Sequence, residues 1–74
     1  MIELEWIPVE GSGRISAMAY DSATETIYVQ FPKGGTQWHY DGCPPHLWSE
    51  FVAAPSKGQY IHQVLNNRPN GRVA

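Results

Sequence analysis

The chain has one cysteine, no basic cluster and no long apolar run, and each shortage removes a class of function. With Cys43 alone, a disulfide within the chain is excluded, and a single thiol suits a reducing compartment. Between Gly42 and Pro44 it reads as a small buried hydrophobe rather than a nucleophile. No segment approaches the roughly 20 apolar residues that a membrane span requires. Met1-Ile2-Glu3-Leu4-Glu5 lacks the basic start of a signal peptide, so the expectation is a cytoplasmic protein with no membrane partner. Five Lys and Arg stand against seven Asp and Glu, for a net charge of −2. The cations Arg14, Lys33, Lys57, Arg68 and Arg72 are scattered, whereas long duplex DNA is held through a track of phosphate contacts. Such a partner is not expected.

Assembled chemistry is equally scarce. His39, His46 and His62 fall in three different elements, with no His-x-x-x-His or Cys-x-x-Cys spacing, so neither a metal nor another cofactor is expected. Cys43 and His46 are separated by Pro44-Pro45 and have no evident third group to make a thiolate–imidazole pair. Asp41 and Glu50 form no obvious carboxylate pair. A small hydrolase or transferase is therefore the weakest of three functional classes, and no catalytic residue is assigned.

What the chain does have is aromatic content and clear punctuation. Its 74 residues suit one domain, with a core at about residues 11–66 and a tail at 67–74. Three Trp, four Tyr and two Phe are enough to dominate a small core. Ile2, Leu4 and Trp6 alternate with Glu3 and Glu5 as in a half-buried strand, and Pro8 ends it or puts it on an edge. Gly11-Ser12-Gly13 is a turn or bulge. A second strand at 15–20 sets Ser16, Met18 and Tyr20 against Ile15, Ala17 and Ala19. Asp21-Ser22-Ala23-Thr24 is hairpin-turn chemistry. A third strand at 25–31 gathers Ile27, Val29 and Phe31. After Pro32-Lys33-Gly34-Gly35, a fourth at 36–40 aligns Trp38 with Tyr40.

One apolar layer results: Met18, Tyr20, Ile27, Val29, Phe31, Trp38 and Tyr40. A sheet apolar on one face needs helices there, and two follow. Pro44-Pro45 suits a helix start, and Leu47, Phe51 and Ala54 recur at helical spacing. Pro55 stops this helix, and Ser56 with Gln59 reads as a capping box for the next, whose apolar face is Tyr60, Ile61, Val64 and Leu65. Turn-forming residues at 66–71 then lead into a frayed end. The expected fold is α+β: an antiparallel meander of three to four strands with two C-terminal helices packed on one face.

These ordered motifs resemble the KTSC domain over about residues 11–65. The family's Tyr-Asp corresponds to Tyr20-Asp21, and its hydrophobic strand before a glycine to Ile27-Tyr28-Val29-Gln30-Phe31 with Gly34. Its Tyr-x-Tyr falls on Trp38-His39-Tyr40, with Trp38 in place of the first tyrosine. Its Ala-x-Ser-x-Gly-x-Tyr is met by Ala54-Pro55-Ser56-Lys57-Gly58-Gln59-Tyr60. The Trp38 replacement keeps a stacking or core role and removes any role that needs a phenol hydroxyl there. The resemblance implies a module that occurs alone in bacterial and phage proteins and at the C-terminus of some lysyl-tRNA synthetases, with a suggested RNA-binding role.

The leading function is a non-catalytic module that binds a nucleotide or short nucleic acid, with sequestration of a nucleotide signal as one such role. Trp38 and Tyr40 either fill the core or stack a base. Lys57, Arg14 and the Ser56–Gly58 helix start would meet phosphate, and Gly58 otherwise lets the two helices pack closely. Tyr60 completes the candidate set through the family motif. The alternative is a small phage or bacterial protein-interaction or regulatory module. A homo-oligomer is expected as well, because Ile15, Ala17, Ala19 and Tyr28 would leave an apolar patch on the second sheet face.

Overall fold

A computed structural model describes residues 4–11 and 13–73. Strands β1 (Ile7–Pro8), β2 (Ala17–Asp21), β3 (Thr26–Gln30) and β4 (Gln37–Tyr40) precede helices α1 (Pro45–Ala53) and α2 (Lys57–Gln63). A 3-10 turn (Leu65–Asn67) and strand β5 (Asn70–Arg72) complete the chain. All five strands join one antiparallel sheet in the order β1-β2-β3-β4-β5. The fold is α+β, as the periodicities imply, with five strands among the described residues instead of three or four.

The register explains which side chains share a face. Ile7, Met18, Val29, Trp38 and Arg72 form one row across the sheet, and Tyr20, Ile27, Tyr40 and Asn70 another. The interior members of these rows, Met18, Ile27, Val29 and Tyr40, are buried against Leu47, Phe51, Ile61 and Leu65. Tyr20, Phe31 and Trp38 pack at the margin of this core. Tyr20 stacks on Trp48 at 5.3 Å, and its hydroxyl donates to the Cys43 carbonyl at 2.6 Å. That bond ties the end of β2 to the entry of α1.

Local signals set the boundaries. Pro45 occupies the first turn of α1, where its missing N–H costs no hydrogen bond. Ser56 Oγ accepts from the Gln59 amide at 3.3 Å and starts α2. Pro8 lies in the edge strand β1, a position where a residue without an N–H is tolerated.

Four expectations are corrected. Residues 4–6 are not in a strand: pairing begins at Ile7, and Ile2 and Glu3 lie outside the described residues. Asn70 and Gly71 are not turn residues and Arg72 is not a frayed end, because Asn70–Arg72 pair as a strand along β4. Ile15 is fully buried in the core cluster with Met18; regular pairing starts only at Ala17, so strict alternation does not extend back to it. Ala19 is also fully buried, so two of the four residues expected to form an exposed apolar patch are covered within this chain.

Candidate functional site

Four of the seven sequence-selected site residues meet at one cleft of about 270 Å³, lined by Val9, Glu10, Arg14, Ser56, Lys57, Gly58 and neighbouring loop residues. The loop before β2 supplies one wall, and the start of α2 supplies the other. Gly58 is what lets them approach. A Cβ there would lie 3.1 Å from Arg14 Cβ and 3.2 Å from Arg14 Cγ. The glycine therefore makes room for the aliphatic stem of Arg14, not for helix α1 as the sequence suggested.

Charge in the cleft is mixed. Arg14 and Lys57 bring cations and Glu10 a carboxylate. Glu10 was missed by the sequence reading, and its place beside the Gly11 turn was the available signal. Lys57 is also engaged outside the cleft, where its Nζ donates to the carbonyls of Val52 at 2.9 Å and Ala54 at 2.7 Å. Those carbonyls end α1, where a helix leaves acceptors unpaired and favours a cation. Lys57 thus fastens the α1–α2 joint while lining the cleft.

The aromatic candidates are elsewhere. Tyr40 is 2% exposed and takes the core role, one of the two its sequence position left open, so it is not available as a stacking plate. Burial pushes its phenol up, and the Arg14 guanidinium opposes that shift. Trp38 is half-buried at the margin, with Nε1 donating to Asn70 Oδ1 at 3.0 Å. Neither it nor Tyr60 lines the cleft.

Tyr60 packs on Phe51 with ring centroids 5.6 Å apart. Its hydroxyl reaches Glu50 Oε1 at 2.9 Å and the Leu47 carbonyl at 3.3 Å. Burial first, and then the Glu50 hydrogen bond, push its pKa from 10.0 up to about 12. A phenol raised in the folded state contributes stability that is fully present below the unfolded pKa and is lost as pH climbs through the folded one. Between pH 10 and 12, the melting temperature of Tyr60→Phe is therefore expected to fall less steeply than that of the parent chain. Equal slopes in a thermal titration would remove this role from Tyr60.

The remaining candidates bring no assembled chemistry together. Cys43 is fully buried, and burial pushes its thiol up despite the nearby Arg68. His46 and His62 are exposed. His39 pairs with Asp41 at 3.0 Å, with Tyr28 opposite it on β3. Among the described residues, no three His, Cys, Asp or Glu side chains cluster as a metal site would require.

The fold and its motifs agree with a known family, whose model, the KTSC domain, matches residues 11–68. The chain belongs to the KTSC domain family. A protein of Tsukamurella paurometabola is 33% identical over 61 residues, covering 82% of this chain and 88% of that protein. The crystal structure of a KTSC domain protein from Yersinia pestis superposes with a TM-score of 0.86 at 26% identity. That alignment covers 97% of this chain and 100% of the Yersinia chain. Within this KTSC domain, the cleft walls from Gly11 onward fall in the matched segment, and β5 lies just beyond it. No helix among the described residues is long and apolar enough to cross a membrane.

Proposed function

We propose that this KTSC domain is a non-catalytic binding module for a small phosphorylated ligand, a nucleotide or the end of a short RNA. The observation that carries the reading is the convergence of Arg14 with the distant segment Ser56-Lys57-Gly58 on one cleft. A volume of about 270 Å³ lies near the lower end of small-molecule sites, roughly 300–1,000 Å³, and suits a single nucleotide better than a longer strand. Arg14 supplies the planar, permanently charged donor that phosphate recognition favours, and Ser56 adds a hydroxyl. Glu10 in the same wall opposes a polyanion and is compatible with a ligand of low charge. With no aromatic ring in the lining, the phosphate end is held and the base is left at the rim. The reading places the domain in the cytoplasm, in keeping with its lone buried thiol.

Calorimetry with mononucleotides, cyclic nucleotides, short RNA and duplex DNA tests it. Binding of a nucleotide or short RNA is expected, weakening as salt rises. Arg14→Ala should weaken it by about tenfold or more, a change of about 1.4 kcal/mol, and Gly58→Val should narrow the cleft with a similar loss. A melting temperature for each variant separates lost binding from lost fold. Tight binding of duplex DNA with no response to nucleotides would overturn the reading.

Silence across the whole panel would favour the second reading, a protein-interaction or regulatory module acting on a partner or on another copy of itself. Its specific support is the exposure of Ile7 at one edge of the sheet, of Val73 beyond the other, and of Val52 on α1.

A further inference from the structure

We infer that His39 and Asp41 form a latch that fixes the register of the C-terminal strand against β4. Strand β5 reads Asn-Gly-Arg and has no apolar alternation of its own. Register is weakly specified wherever no hydrophobic pattern selects one face. A slip by one residue would place Asn70 or Arg72 opposite His39 in place of Gly71.

The geometry shows what resists that slip. A Cβ on Gly71 would sit 3.1 Å from His39 Nε2, 3.8 Å from Cε1 and 4.0 Å from Cδ2, so the imidazole lies over the one residue in β5 that has no side chain. The ring is biased toward this orientation because its other nitrogen, Nδ1, is bonded to Asp41 Oδ1 at 3.0 Å. Trp38 adds a second tie by donating Nε1 to Asn70 Oδ1 at 3.0 Å. Backbone bonds from Asp41 N to Pro69 O (2.7 Å) and from Val73 N to Gln37 O (2.9 Å) close the two ends of the paired segment. Asp41 thus acts twice, through its amide on the chain entering β5 and through its carboxylate on the ring that keys Gly71. It is a positioning residue for the strand.

Hydrogen exchange at the Asp41 and Val73 amides reads the latch directly, with the Met18 and Val29 amides as internal controls for the rest of the sheet. Gly71→Ala is expected to speed exchange at both reporters by about tenfold or more while leaving the controls unchanged. In a His39→Ala background the same substitution should add less than about twofold, because the ring it would strike is gone. In an Asp41→Ala background the ring can move away, and the added effect, read at Val73, should again fall well below tenfold. A full tenfold increment in either background would overturn the latch, as would unchanged exchange in Gly71→Ala alone.

Discussion

Phe51→Ala is expected to lower the stability of the domain by about 3–5 kcal/mol, enough to leave a large share of it unfolded at ambient temperature. Phe51 is fully buried in the last turn of α1. It touches Trp48 and Tyr60, with ring centroids 6.1 and 5.6 Å away. It is thus where the inner helix surface, the second helix and the sheet share one ring. Native stability runs at roughly 0.05–0.15 kcal/mol per residue, so for a 74-residue chain the loss is comparable with the whole. Small domains have few other core residues to absorb the cavity. Phe51→Leu keeps most of the volume and should cost far less, about 1–1.5 kcal/mol. Urea denaturation compares the three chains, and an alanine variant within about 1 kcal/mol of the parent would show that the cavity collapses.

Asp21→Ala is the second large effect, expected to cost about 1.5–3 kcal/mol because hydrogen bonds to a charged acceptor are lost. Asp21 is 8% exposed and accepts from the Ala23 amide and from Thr24 Oγ1, each at 3.0 Å. These bonds hold the β2–β3 turn, in which Glu25 takes the left-handed conformation with φ of 54°. A non-glycine residue in that region is costly, and the Asp21 bonds help hold the turn in place. Asp21→Asn retains a neutral acceptor and should lose less than the alanine variant. Thermal denaturation of the pair tests this order, and equal melting temperatures for Asn and Ala would remove the charged acceptor from the account.

How much of this was legible in the sequence depends on where the information lies. Ile27 and Val29 are buried on one face because strand alternation is a local property, and Pro45 and Ser56 mark helix starts because each acts on adjacent backbone. Strand β5 was illegible for the opposite reason: Asn70-Gly71-Arg72 carries no pattern of its own, and its pairing exists only once β4 is present. Trp38 and Tyr40 looked equivalent in sequence. They share a sheet face, yet Tyr40 lies under the helices and Trp38 at the margin, a distinction made by tertiary position. The cleft was half legible. Arg14, Ser56, Lys57 and Gly58 stood out individually, but nothing local brings residue 14 against residue 58. The contact of Lys57 with the carbonyls ending α1 depended on how the chain turns at the extended Ala54, which spacing alone does not encode.

The burial of Cys43 has a practical corollary. Its Sγ donates to the Tyr40 and Asp41 carbonyls at 3.4 and 3.7 Å, and burial pushes its pKa up, further from the thiolate. An alkylating reagent reacts with exposed thiolate, so each labelling event requires the chain to open. The protein carries its own stopwatch for breathing motions, with a single thiol and hence a single signal. Where that signal slows when a ligand is added, the ligand has been seen to hold the fold closed, whatever its chemical identity.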